Sequence, residues 1–188
     1  MFYDKLVNII LILALTIYFV GYFNLRYFSI LPTVKVYPDN DSEILIVNNY
    51  VNENNIYYLE LFKETDESVV NVFKKIVDLP REEMDKIIYS PHLIFITLLL
   101  KTIINRARPI QVNPKLKIQE SFTANTPAYP SGHCIQAYYL AKKLSVMYPD
   151  KEYELFKLAE DCAMARVHAG LHYPSDNEFG KLISLNIL

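Results

Sequence analysis

The sequence predicts an all-α domain behind one apolar N-terminal segment. Three observations lead there. Apolar residues recur at helical spacing through most of the chain after residue 56. Prolines fall where one such pattern stops and another begins, at Pro80, Pro91, Pro109, Pro149 and Pro174. Alternating β-branched runs bounded by turns are scarce. With 188 residues, one folded domain is the natural expectation.

The first segment stands apart. Leu6 to Phe23 carries no charge, and only Asn8, Thr16 and Gly21 weaken its apolar character. Its eighteen residues are just enough to span a membrane. Tyr18, Tyr22 and Tyr27 lie where interfacial aromatics are expected. No small-x-small cleavage site follows, which argues against a signal peptide. Lys5 precedes the segment while Arg26 and Lys35 follow it, so the positive-inside rule does not fix its direction. Residues 1–27 are thus expected to be a membrane anchor.

Residues 28–56 read as a linker with irregular structure, punctuated by Pro32, Pro38 and Asp39-Asn40-Asp41-Ser42. Within it, Glu43 to Val47 fits a short strand or the first turn of a helix. The helical domain is expected over residues 57–188. Thr65 can cap a helix whose Val69, Val72, Phe73 and Ile76 share a face and which Pro80 ends. A second helix fits Arg81 to Tyr89. Ser90-Pro91 reads as an N-cap with proline at N1, opening a helix that runs to about Ala107. A loop, Ile110 to Tyr129, leads to helices over 132–147 and 151–167, and a last short helix covers Asp176 to Leu188.

Composition narrows the function. The chain is 52% hydrophobic with a net charge of −2, so no basic excess points to nucleic acid. Cys134 and Cys162 match no zinc or redox spacing and read as buried free thiols.

Three stretches carry chemistry. In Arg166-Val167-His168-Ala169-Gly170-Leu171-His172-Tyr173-Pro174-Ser175-Asp176, the arginine ends a helix, His172 lies in a loop and Asp176 opens the next helix. Asp176 could then hold one ring nitrogen of His172 while the other faces a ligand. Lys101 and Arg108, seven residues apart, would share a helix face. Arg106 would lie on the opposite face as a solvated charge. Pro130-Ser131-Gly132-His133 opens a helix whose free N–H groups and dipole favour an anion. Gly132 leaves room for a ligand to come close. Together, three cations and two neutral donors suit a phosphate dianion.

Lys-x6-Arg-Pro, Pro-Ser-Gly-His and Arg-x5-His-x3-Asp resemble the three-part motif of the type 2 phosphatidic acid phosphatase superfamily. That superfamily also contains bacterial class A acid phosphatases and vanadium haloperoxidases. The match covers about residues 90–180. One departure is Ala165, where the family usually has serine. The resemblance implies an acid phosphatase/vanadium haloperoxidase-like helical bundle. It also implies His172 as nucleophile, Asp176 as its orienting partner and His133 as general acid. Lys101, Arg108, Ser131, Gly132 and Arg166 would cradle phosphate. It implies no cofactor and no metal. His168 has the spacing of a zinc pair with His172, but His172 is better explained as the nucleophile.

The lipid phosphatases of the superfamily have several spans, whereas this chain offers one. Lys142, Lys143, Lys151, Glu152, Glu154 and Lys157 do not suit lipid contact. The chain therefore resembles a class A acid phosphatase on a tether: a single-pass membrane protein with its catalytic domain in water, hydrolysing phosphomonoesters through a phosphohistidine. The alternative is a phosphatase of lipid phosphates or isoprenoid diphosphates. A vanadium-dependent haloperoxidase and a non-catalytic phosphate-binding protein are further alternatives. The expected partners are the phosphorylated substrate and, through residues 6–23, a membrane. A lid over the site is expected from residues 24–65 and 110–129.

Overall fold

Every regular element among the described residues is helical. The computed structural model describes residues 34–188 and, in the first segment, Ile9, Ile12 and Leu15. The expected span, residues 6–23, lies outside the described residues apart from those three positions, as does the rest of the expected anchor. Among the described residues, no single helix is long and apolar enough to cross a membrane.

In chain order the helices are α1 (Asn40–Glu53), α2 (Ile56–Thr65), the single turn α3 (Val70–Phe73), α4 (Arg81–Ile88), α5 (Pro91–Ile104), the short α6 (Pro109–Val112), α7 (Gly132–Met147), α8 (Glu152–His168) and α9 (Pro174–Asn186). A 3₁₀ turn, Pro149–Lys151, joins α7 to α8. These two form the centre, with α9 and α4 against α7 and α2 and α1 against α8. Ala137 and Ala141 on α7, and Ala159 and Ala163 on α8, are all buried. Such small side chains let two helix axes approach closely. Leu140, Leu144 and Leu155 are fully enclosed in the same core, and each contributes about 1.5–3 kcal/mol by leaving water. Cys134 and Cys162 are buried free thiols.

Three sequence expectations need correction. The segment read as an irregular linker carries α1, fourteen residues long. Its N-terminus is capped by Asp39, whose carboxylate accepts from the Asp41 N–H at 3.0 Å. Ile44 and Val47 pack with Val167 and Tyr173. Glu43 to Val47 is therefore helix and not strand, and the flanking polar residues had obscured its short apolar stripe. Thr65 ends α2 rather than capping a new helix: its hydroxyl donates to the Leu61 carbonyl at 2.7 Å, a back-bond open to threonine within a helix. Val69, Val72 and Phe73 are buried as expected, but around only one helical turn.

The third correction concerns α5, which stops at Ile104 rather than near Ala107. Asn105 adopts the left-handed conformation (φ 51°) and donates its N–H to the Lys101 carbonyl. Asparagine tolerates that conformation at a helix end. The chain therefore turns before Arg106, and Lys101 and Arg108 do not share a helix face. Arg108 instead precedes α6, in extended backbone.

Two glycines shape the approach to the site. Gly170, at φ 73°, ends α8; a Cβ there would lie 2.9 Å from Ile118 Cγ2. The left-handed turn suits glycine and sends Leu171 and His172 back toward α9. Gly180 lets α9 lie against the start of α7, where a Cβ would stand 3.1 Å from the Ser131 carbonyl oxygen.

Candidate active site

The start of α9 holds the first half of the site. Asp176 Oδ2 accepts from the Tyr173 N–H at 2.9 Å and from His172 Nδ1 at 3.0 Å. Its Oδ1 accepts from Arg106 Nη1 at 2.7 Å. On the other side of the imidazole, Arg108 Nη1 lies 3.0 Å from His172 Nε2. A guanidinium only donates, so Nε2 presents its lone pair and Nδ1 carries the hydrogen. Burial, followed by the charges of Arg108, Lys101 and Arg166, holds His172 far below the usual imidazole range. Its ring is therefore neutral at pH 7. Burial raises Asp176, and Arg106 opposes that rise most strongly.

Main-chain carbonyls of residues 126–128 fasten two cations. Lys101 Nζ donates to the Pro127 carbonyl at 2.6 Å, and Arg108 Nε donates to that of Thr126 at 2.9 Å. Burial, then the Arg108 charge, pushes Lys101 well below the usual lysine range. Ser131 caps α7, its hydroxyl accepting from the Cys134 N–H. Its own N–H reaches the Asp176 carbonyl at 3.0 Å, which ties the second motif to the third. A Cβ on Gly132 would make ordinary contacts, 3.8 Å from Lys101 Cε and Thr97 Cγ2. The protein itself thus leaves room there.

The second half of the site centres on Asp66, in the connection between α2 and α3. Arg166 Nη1 donates to Asp66 Oδ1 at 2.7 Å. Ser121 and Thr123 donate to the same oxygen, and the Phe122 N–H reaches Oδ2. The Asp66 carbonyl lies 3.0 Å from His133 Nε2, so that nitrogen carries a hydrogen and Nδ1 is left for other contacts. Burial, then the Arg166 charge, lowers His133. Arg166 Nε is buried with no partner among the described residues, a donor still available to an anion.

All eight expected positions therefore converge: His172, His133, Asp176, Lys101, Arg108, Ser131, Gly132 and Arg166. Sequence reasoning missed Asp66, and it misplaced Arg106. That side chain is fully buried, not solvated. It pairs with Glu43 at 2.6 Å and Asp176 at 2.7 Å. Its burial follows from the early turn at Asn105. Neither residue carried a local signal, because their partners lie far away in sequence. The lid regions contribute Ser121 to Thr123, while Asp66 falls one residue beyond the other expected stretch. His168 stacks on Tyr58 with ring centres 4.3 Å apart. Ala165 is buried in the helical core.

Two of the openings that flank this centre lie beside Arg108 and His133. One, about 220 Å³, is bordered by Arg108, Gln111, Ser121 and Leu171. The other, about 290 Å³, lies beside His133 and Gly132 and is walled by Tyr89, Leu93, Ile94 and Leu98.

In comparison with known families, residues 89–188, more than half of the chain, match the PAP2 superfamily. No curated protein shows significant similarity to the chain. The chain belongs to the PAP2 superfamily, and this membership supports a phosphatase-type hydrolase.

Proposed function

We propose that this member of the PAP2 superfamily hydrolyses phosphomonoesters without a metal, through a phosphohistidine at His172 Nε2. The observation that carries the reading is the Arg108–His172–Asp176 chain, which keeps the hydrogen on Nδ1 and the lone pair on Nε2, where the phosphorus must take the place of the Arg108 donor. Nε2 attacks phosphorus, and the bond from phosphorus to the leaving oxygen breaks. His133 gives that oxygen a proton from Nδ1. The arriving phosphate dianion raises the low proton affinity of His133 and so charges it for this step. Water then attacks the phosphohistidine, His133 takes its proton, and the P–N bond breaks to free His172 and phosphate. Dividing the displacement makes each step easier. Lys101, Arg108 and Arg166, with donors from Ser131 and the start of α7, hold the equatorial oxygens.

In this reading residues 1–27 anchor the chain in a membrane by a single pass through residues 6–23, and the helical unit works in water. The unit begins near α1 rather than at residue 57, because Glu43 reaches into the site.

The groove beside His133 favours a second reading. In-line displacement at His172 places the leaving group on the His133 side, where Leu93, Ile94 and Leu98 form an apolar wall. An apolar alcohol or diphosphate, as in a lipid phosphate or an isoprenoid diphosphate, would fit there.

The test is hydrolysis by the full chain in detergent with EDTA, beside His172→Ala. Turnover of p-nitrophenyl phosphate that survives EDTA, is blocked by orthovanadate and is lost in the variant supports the reading. Orthovanadate adopts the trigonal-bipyramidal geometry of the transferring group. Turnover confined to long-chain lipid or polyprenyl substrates selects the second reading. Binding of phosphate without turnover of any of them rejects both.

A further inference from the structure

Beneath Asp176 lies a buried group of charges outside the eight motif positions. Arg106 Nη1 donates to Asp176 Oδ1 at 2.7 Å and to Ser175 Oγ at 2.8 Å. Its Nη2 donates to Glu43 Oε2 at 2.6 Å, and its Nε to Asn40 Oδ1 at 2.9 Å. Glu43 in turn accepts from the Ser175 N–H at 3.0 Å. The guanidinium lies between the rings of Tyr37 and Tyr173, 4.3 and 3.8 Å from their centres. The result is an alternating series of Glu43, Arg106, Asp176 and His172.

Such a buried network is poor value as a stabiliser, because desolvating the charges offsets their attraction. Its position suggests another use. An aspartate carboxylate rotates broadly about its last torsion. Arg106 grips Oδ1, which leaves Oδ2 facing His172 Nδ1. We propose that Arg106, braced by Glu43, is a positioning residue that holds the Asp176 carboxylate in the rotation that serves His172. The inference rests on the reading of His172 as nucleophile and Asp176 as its partner.

The charge has a second effect. The groups facing Asp176 are Arg106, Lys101 and His172, with Glu43, Tyr129 and Tyr173 close behind. Arg106 is the strongest influence lowering Asp176. Without it, Asp176 gains its proton at higher pH, and the acid limb of activity moves up. Removing the Glu43 charge does the reverse, since Arg106 then acts on Asp176 undivided.

The test uses the full chain in detergent, with p-nitrophenyl phosphate as substrate and thermal unfolding as the check on folding. Arg106→Met is expected to lower kcat about 10- to 100-fold, as for other orienting partners of histidine, and to move the acid limb to higher pH. KM should stay within about threefold, because the substrate is not touched. Arg106→Lys, which returns a charge and a donor, should move the limb back toward wild type. A folded Arg106→Met with wild-type kcat and acid limb overturns the proposal. Glu43→Gln keeps an acceptor but drops the charge, and covers the case in which Arg106→Met does not fold. Its acid limb should move to lower pH, and a limb that stays or rises overturns the proposal.

Proton NMR separates this proposal from the phosphatase reading. The His172 Nδ1–H held by Asp176 should give a hydrogen-bonded resonance that Arg106→Met shifts or removes. That result in a chain without turnover would count against the phosphatase reading and uphold the positioning role. An unchanged resonance in folded Arg106→Met overturns the positioning role, whatever the activity.

Discussion

The two histidines of the site are held in opposite ways. His172 is buried between Asp176 and Arg108, and its supports continue inward to Arg106 and Glu43. His133 leans on one main-chain carbonyl, that of Asp66, and borders an open groove. The difference fits the two proposed tasks. A nucleophile needs one tautomer and one direction, which buried charged partners impose. A group that gives and takes protons needs access to the leaving oxygen and to water. Asp176, which holds His172, sits in the first turn of α9, whereas Asp66, Ser121 and Thr123 around His133 all lie in connections.

The largest effect should come from removing the nucleophile. His172→Ala should lower kcat by about 10⁴-fold or more, the scale seen when a nucleophile is deleted, with no phosphoenzyme after rapid quenching. His133→Asn should cost about 10²–10⁴ in rate, the usual worth of general acid help. Unlike His172→Ala, it should accumulate the phosphoenzyme from a substrate whose leaving group needs no proton. Equal behaviour of the two variants in a quench assay would erase the contrast between them.

The pH profile sharpens the same comparison. Because burial and three cations hold His172 low, its ring stays neutral, and nucleophilic, below the ordinary imidazole range. Activity should therefore persist into acid and fall as the buried His172–Asp176 pair gains a proton. An acid limb centred at the free imidazole value in kcat/KM would contradict this.

Asp66 tests the half around His133. Its carboxylate occupies one face of Arg166, which a phosphate dianion also requires. Asp66→Asn retains acceptors for Ser121 and the Phe122 N–H but removes the competing charge. Inorganic phosphate should then inhibit about tenfold more tightly, equivalent to about 1.4 kcal/mol. Weaker inhibition would mean that Asp66 chiefly aims Arg166.

The smallest expected effects separate room from strain. Gly170→Ala should lower stability by about 1–3 kcal/mol, read by denaturant unfolding, because it forces a side chain into the left-handed region against Ile118. Gly132→Ala should alter stability by no more than about 0.5 kcal/mol, since its Cβ meets only ordinary contacts. It should still weaken phosphate binding, because the added methyl stands where the anion approaches.

Local pattern was enough for much of this molecule. The boundaries of α7 and α8 follow from apolar spacing and proline positions, and the observed helices, Gly132–Met147 and Glu152–His168, agree with them closely. The His172–Asp176 contact was also legible, because both residues straddle one helix start at a spacing that brings them together. What the sequence by itself determined is thus the motif groups and the helices that carry them, since periodicity and capping act over a few residues. The tertiary structure alone decided that Arg106 points inward, that Glu43 joins it across 63 positions, and that Asp66 meets Arg166 across 100. Those pairings depend on where Asn105 turns the chain and on how α1 docks. A charge has no periodicity to reveal its partner, so only the folded chain brings the two together.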